Sequence, residues 1–270
     1  MPFVTIDGQP LHYIDQGKGP AVLLAGSYLW DQTMWAPQIT ALSQHYRVIA
    51  MDLWGHGQSG RLPQGTTSLD DIARQALKLL DHLEIESLTL VGLSVGGMWG
   101  ARLAMSAPER INGLVLMDTY LGIEPEPTRQ YYFSLLKQIE EAGVITPSLL
   151  DIVVPIFFRP DIDPQSALYQ NFRASLAALP ADRLRESVVP MGRITFGRED
   201  LMPRLSELNP KATLVMCGDR DTPRPPHETR EMAELIGCPY LLVPEAGHIS
   251  NLENPAFVTE ALLKFLAERT

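Results

Sequence analysis

The sequence predicts an α/β fold, in which a mostly parallel, doubly wound sheet carries helices on both faces and a helical insertion above it. Short apolar runs suited to buried strands alternate with helical patterns in residues 1–119 and again in residues 195–270, which is the rhythm of a parallel sheet. Between residues 120 and 194 the chain has helical patterns separated by prolines instead. We therefore predict a core of residues 1–119 and 195–270 and a helical cap, or lid, of residues 120–194.

The strands follow from local patterns, taken in chain order. The turn sequence Asp7-Gly8-Gln9-Pro10 separates two short β-type segments and indicates an N-terminal hairpin. The later strands are continuous apolar runs, as expected for strands that are buried on both faces. The predicted strands are residues 3–6, 11–15, 21–25, 47–51, 88–91, 111–117, 212–217 and 240–243.

The core helices alternate with these strands and carry apolar residues at helical spacing. The first helix places Trp35, Ile39 and Leu42 on one face. Ser68 is suited to cap the second helix, and the aspartates that follow it suit the positive end of the helix dipole. The predicted core helices are residues 34–45, 68–83, 98–106, 227–236 and 255–266.

The charge balance argues against polyanionic partners. The 270 residues include 22 basic and 32 acidic side chains, a formal net charge of −10, which disfavours binding to nucleic acid or to an anionic membrane. Cys217 and Cys238 are too few for a disulfide framework and favour a reducing compartment. With no signal peptide and no apolar run of membrane-spanning length, we expect a soluble, cytoplasmic protein. The sequence permits a homodimer without specifying one.

The pattern Gly92-x-Ser94-x-Gly96 is a candidate nucleophile elbow. It follows an apolar strand and precedes a helix, so the chain must turn sharply and force the serine into a strained conformation with positive φ. Glycines on either side remove the Cβ atoms that would clash. The serine hydroxyl is then exposed at the helix N-terminus, where developing negative charge is favoured.

A serine hydroxyl needs a base, and His248 is the predicted one. It lies in the loop after the last strand, at the sheet edge where Ser94 emerges. His56 lies in an earlier tight turn and does not fit the chain order Ser, Asp, His. Asp219 and Asp221 both follow the preceding strand. We choose Asp221 because it has reach toward the histidine, whereas Asp219 lies in the turn itself; its role is to hold the imidazole tautomer.

The oxyanion of the reaction needs two hydrogen-bond donors. The backbone N–H of Val95, directly after the nucleophile, is the first. The second is expected in the loop after the strand 21–25, where counting back from Trp35 gives Tyr28, with Ser27 as the alternative.

At these residues the chain resembles the α/β-hydrolase superfamily over nearly its whole length. Two segments look most like 3-oxoadipate enol-lactonases and related small carboxylesterases. The superfamily usually has His-Gly before the oxyanion donor, whereas this chain has Gly26-Ser27, and the missing imidazole is expected to loosen that loop. The motifs of the superfamily are DLWGHGQSG at 52–60, GDRD at 218–221 and AGHISN at 246–251; the enol-lactonase-like segments are GLSVGGM at 92–98 with APER at 107–110, and GHISNLE at 247–253.

The resemblance implies a hydrolase that cleaves a carboxylic ester or lactone through an acyl-enzyme on Ser94. The serine separates the chain from epoxide hydrolases and haloalkane dehalogenases, which carry aspartate at the elbow, and we see no lysine where hydroxynitrile lyases need one. A C–C bond hydrolase of ring-cleavage products, a cofactor-free haloperoxidase or perhydrolase, and a non-catalytic ligand receptor are the alternatives. No metal or cofactor site is predicted, because the histidines and cysteines lack ligand spacing.

A small, apolar substrate is expected, because aromatic and aliphatic residues lie next to the catalytic loops, and Phe157, in the insertion, is placed to line its underside. They suggest a largely apolar pocket beneath the cap. The residues predicted for this pocket are Trp30, Met98, Tyr120, Leu121 and Phe157.

Overall fold

The sheet has eight strands, and only β2 runs against the direction of the others. A computed structural model describes residues 2–269 and gives the strand order β1-β2-β4-β3-β5-β6-β7-β8. The first strand pairs antiparallel with the second, and the second pairs antiparallel with the fourth. The strands are β1 Phe3–Ile6, β2 Gln9–Gln16, β3 Ala21–Ala25, β4 Arg47–Met51, β5 Leu88–Leu93, β6 Ile111–Met117, β7 Thr213–Gly218 and β8 Tyr240–Val243. The predicted α/β class is therefore confirmed.

The register of the central strands brings their carboxyl ends together. Leu93 pairs with Met117, and Met117 pairs with Met216, so β5, β6 and β7 end at one edge of the sheet. Gly218 at the end of β7 pairs with Val243 at the end of β8. Each loop that leaves this edge therefore starts close to the others, as expected for parallel strands.

Helices cover the sheet and form the long connection between β6 and β7. Five of the elements in that connection are α-helices, and we retain residues 120–194 as the proposed cap. None of the helices in residues 2–269 combines the length and the apolar character that crossing a bilayer requires. The helices are α1 Ala36–Leu42, α2 Leu69–His82, α3 Val95–Ser106, α4 Glu126–Ala142, α5 Pro147–Val153, α6 Ala167–Ala177, α7 Ala181–Arg183, α8 Val189–Phe196, α9 Pro226–Ile236, α10 Ser250–Glu253 and α11 Pro255–Ala267.

Two predicted helix boundaries were wrong for physical reasons. The prediction for residues 34–45 spans a 3-10 turn, Gln32–Trp35, and the shorter helix α1, whose start is marked by a proline. Helix α3 begins at Val95, three residues before the prediction. The glycines in its first turn are poor helix formers, but close packing against the sheet requires them there. By contrast, Ser68 caps α2 as predicted and forms a capping box with Asp71.

Candidate active site

Ser94 occupies a sharp turn between β5 and α3. Its backbone has φ 56° and ψ −120°, a conformation that strains any residue with a side chain. A Cβ atom at Gly92 would lie 2.5 Å from the Gly96 carbonyl carbon, and a Cβ atom at Gly96 would lie 2.2 Å from the Ala25 carbonyl oxygen. Both glycines are therefore required by close backbone approach, and the turn holds the serine side chain out from the sheet edge.

We expect Gly96→Ala to lower the free energy of unfolding by about 1–3 kcal/mol, because the added methyl group would force α3 away from β3. Helix propensity alone predicts the opposite sign, since alanine is the better helix former by about 1 kcal/mol. Urea unfolding followed by circular dichroism measures the change. A variant at least as stable as the wild type would show that the helix moves without cost.

His248 links Ser94 to Asp221 by hydrogen bonds. Its Nε2 lies 3.0 Å from Ser94 Oγ, and its Nδ1 lies 3.0 Å and 3.2 Å from the two carboxylate oxygens of Asp221. All three residues are buried. Because an ionised carboxylate only accepts, Nδ1 carries the imidazole proton. The lone pair of Nε2 is then free to accept the serine proton, which is the arrangement that a general base needs.

The structure separates the two candidate carboxylates. Asp221 is 3% exposed and also accepts a hydrogen bond of 3.0 Å from the Arg224 backbone N–H. Asp219 is exposed, and one of its oxygens accepts instead from the Ala246 backbone N–H at 3.3 Å. Only Asp221 of the two contacts the imidazole.

The two candidate oxyanion donors lie in the loop after β3 and at the start of α3. Val95 is the first residue of α3, so its N–H has no partner within the helix. The Ser27 N–H points at Met34 Sδ, 3.4 Å away, whereas the Tyr28 N–H donates to no group in the described chain. The Tyr28 hydroxyl donates to the Val188 carbonyl at 2.7 Å, which ties this loop to the proposed cap. Burial raises the pKa of that hydroxyl, which therefore stays protonated.

Met34 takes the space of the side chain that is missing at Gly26. A Cβ atom at Gly26 would lie 3.0 Å from Met34 Sδ and 3.6 Å from the indole nitrogen of Trp35. The expected loosening of the loop is therefore offset: the thioether fills the gap and accepts the Ser27 N–H. Nothing local in the sequence marks Met34, because the contact joins a loop to a turn that follows it.

A cavity of about 80 Å³ opens above Ser94 and His248. Of the residues predicted for the pocket, Met98 and Phe157 line this cavity. Phe157 also packs on the imidazole of His248, with ring centroids 5.9 Å apart. The wall that sequence reasoning missed is one face of α4, where apolar residues recur at helical spacing: Tyr132, Leu135, Leu136 and Ile139. That spacing is a signal from which the cavity wall could have been predicted.

The other three residues predicted for this pocket lie elsewhere. Trp30 stacks on Phe172, with ring centroids 4.0 Å apart, and lines a neighbouring cavity. Tyr120 borders a shallow surface depression. Leu121 is buried, and its N–H points at Met232 Sδ of α9. These residues are close to the catalytic loops in sequence, but the chain after β6 turns toward α9 rather than over Ser94.

One cation, Arg224, lies in the otherwise apolar wall of the cavity. Its guanidinium donates to Glu124 and, at 3.3 Å, to Glu228. Glu124 also accepts from Arg198 at 2.8 Å. Burial opposes the charge of Arg224, but the two carboxylates outweigh it and raise its pKa. Its positive charge is therefore already balanced within the protein.

One group in residues 2–269 has the composition of a metal site. Ligand atoms of Asp118, Cys217 and Asp221 lie within 4.8 Å of one another. However, Asp221 is engaged by His248, and burial raises the pKa of the Cys217 thiol. Since metal ligation requires a thiolate, the donor chemistry of this group does not favour a metal.

Comparisons of the sequence and of the structure with known proteins agree with each other. Residues 20–149 match the family model described as alpha/beta hydrolase fold. The chain is 29% identical to 3-oxoadipate enol-lactonase 2 of Acinetobacter baylyi, over 97% of this chain and 96% of that protein. Among solved structures, it resembles a hydrolase from Pseudomonas aeruginosa PA01 (31% identity, TM-score 0.82, 98% and 97% of the two chains). It also resembles the enol-lactonase from Burkholderia xenovorans LB400 (27% identity, TM-score 0.85, 98% and 100%).

Proposed function

The chain belongs to the α/β-hydrolase family, and from this premise we propose that it is a serine hydrolase cleaving a carboxylic ester or lactone through an acyl-enzyme. The observation that carries the proposal is the buried series of hydrogen bonds from Ser94 Oγ through His248 to Asp221, with heavy-atom distances of 3.0 Å at both steps. Such a series, on a strained elbow, activates a hydroxyl that is otherwise a weak nucleophile.

In the proposed reaction, Ser94 Oγ attacks the ester carbonyl carbon while His248 Nε2 takes the hydroxyl proton. The C–O bond to the leaving group then breaks, and the imidazolium returns that proton to the departing alkoxide. Water attacks the acyl-enzyme in the same way, and the acid and free serine are released. Asp221 holds the imidazole and stabilises its cation without taking the proton.

The backbone N–H groups of Val95 and Tyr28 are the proposed donors to the oxyanion. Both are free of other hydrogen bonds in the described chain, whereas the Ser27 N–H is directed at Met34 Sδ. Because the Ser27 N–H already points at the Met34 sulfur, we favour Tyr28 over Ser27 as the second oxyanion donor. A donor of this kind contributes about 10²–10³-fold to the rate.

A compact, largely apolar ester or lactone fits the cavity best. Its walls are the apolar face of α4 together with Met98 and Phe157, and the one cation, Arg224, is paired. The lactone reading is supported by the two relatives named as enol-lactonases. A cytoplasmic location and a homodimer remain predictions from the sequence.

A substrate panel with burst kinetics tests this function. We expect p-nitrophenyl acetate to give a burst of p-nitrophenol that approaches one equivalent per active site if deacylation is slower than acylation. We expect turnover of aryl esters and small lactones and none of a dienone ring-cleavage product. Turnover of the dienone alone would indicate a C–C bond hydrolase, halogenation alone a haloperoxidase, and binding without turnover a receptor; each outcome would contradict the proposal.

A further inference from the structure

Asp118 is a fully buried carboxylate that the proposed reaction does not use. It follows β6 directly, its side chain has no exposed surface, and its backbone has φ 46°. A non-glycine residue held at positive φ without solvent contact is costly, so its surroundings must favour it. The sequence marks it only as the point where the α/β rhythm stops.

The two oxygens of this carboxylate contact the elements that flank the two catalytic loops: Gly218 ends β7, before Asp221, and Ser250 begins α10, after His248. Oδ1 accepts a hydrogen bond of 2.7 Å from the Gly218 N–H, three residues before Asp221. Oδ2 accepts a hydrogen bond of 2.5 Å from the Ser250 hydroxyl, two residues after His248. A single side chain at the end of a third strand therefore joins the base of the acid loop to the end of the histidine loop.

We propose that Asp118 is a positioning residue that fixes the Asp221 and His248 loops relative to each other. The inference rests on the proposed function, since it concerns the same pair. The Asp221–His248 contact spans two loops, so its geometry depends on how the loops are held. The loops also bond to each other directly, through Arg220 N–H to the Ala246 carbonyl and Ala246 N–H to Asp219, and Asp118 adds a buried link next to the catalytic pair. A displacement of about 1 Å in such a pair costs about 10²-fold in rate.

Asp118 is held by hydrogen-bond donors and lies among other titratable groups. The Asp221 carboxylate and the Cys217 thiol lie within 4.8 Å of Asp118, the Tyr240 hydroxyl on β8 interacts with it electrostatically without contact, and no Lys or Arg in residues 2–269 forms an ion pair with it. Burial and the charge of Asp221 raise the pKa of Asp118 well above its ordinary value.

The test compares Asp118→Asn, Asp118→Ala and Ser250→Ala with p-nitrophenyl acetate as the probe. Asparagine keeps the shape and can accept from Gly218 while donating to the Ser250 oxygen, so we expect kcat within about threefold of wild type. Alanine removes both bonds, and we expect kcat to fall about 10²-fold with KM little changed. We also expect the acid-side midpoint of its kcat/KM profile to move to lower pH, because a displaced Asp221 supports the imidazolium less well.

Thr213→Val is the matched control. Thr213 is also buried and polar, but it lies at the opposite end of β7, where its hydroxyl donates to the Asn209 carbonyl. Loss of the Thr213 hydrogen bond can lower stability, but it should not shift the acid-side midpoint of the kcat/KM profile. Ser250→Ala removes the hydroxyl bond alone, leaves the Ser250 backbone N–H beside Asp118, and keeps the test valid if Asp118→Ala does not fold. Wild-type kcat and pH profile in both alanine variants, or equal losses in the asparagine and alanine variants, would overturn the proposal. A wild-type rate in Ser94→Ala would instead refute the proposed function itself.

Discussion

Ser94→Ala is expected to lower kcat for p-nitrophenyl acetate by about 10⁶-fold, the loss typical of removing the nucleophile of a serine hydrolase. Without Oγ no acyl-enzyme forms, so the burst should vanish as well. The residual rate comes from oxyanion donors and binding alone. Stopped-flow absorbance gives both quantities in one experiment. Retention of more than about one hundredth of the wild-type rate would place the nucleophile elsewhere.

Two further variants, one at Ser106 and one at Ser94, separate a loss of catalysis from a loss of stability. Ser106 ends the same helix, with its hydroxyl donating to the Leu103 carbonyl, so Ser106→Ala should leave kcat unchanged. Ser94→Gly should be as inactive as Ser94→Ala but more stable by about 1 kcal/mol, because glycine tolerates the φ of 56° that strains every other residue. Equal unfolding midpoints for the two variants would show that the elbow holds no strain.

The parts of the site that were predictable are those imposed by backbone geometry. A strand that turns into a helix within one residue needs small neighbours, which is why Gly92 and Gly96 mark Ser94. The parallel sheet then restricts the base to a loop at the same edge, which indicates His248 without any knowledge of contacts. The strands were predicted for the same reason, since burial on both faces leaves an uninterrupted apolar run.

The parts that were not predictable depend on contacts between distant segments. Sequence proximity suggested that Tyr120 and Leu121 face the substrate, but the direction of the chain after β6 is set by packing against α9. The absence of a side chain at Gly26 suggested a loose loop. The structure shows that Met34 Sδ packs against this position, a contact that the sequence does not indicate. Asp118 is marked in the sequence only as the end of the α/β rhythm, because its proposed role arises from contacts with residues 218 and 250, which are distant in the chain.

Asp221→Asn is expected to lower kcat about 10⁴-fold while Asp219→Asn stays within about threefold of wild type. The amide at position 221 can donate to His248 Nδ1, which favours the tautomer with its proton on Nε2. That nitrogen then faces Ser94 Oγ as a donor and no longer accepts the serine proton. The imidazolium also loses its buried counter-charge, so the loss should be larger for kcat than for KM.

Asp219 is a strict control for this variant. It is two residues away, has the same chemistry and follows the same strand, but it is exposed and bonds to the Ala246 N–H rather than to the imidazole. Rates are compared across pH 5–10, because a base with the wrong tautomer should stay slow at every pH rather than recover on the alkaline side. If the two variants lost activity equally, the Asp221 carboxylate would contribute by holding the loop in place and not by orienting the imidazole. If only Asp219→Asn were slow, the acid of the triad would have to be reassigned, and with it the hydrogen-bond series on which the proposed mechanism rests.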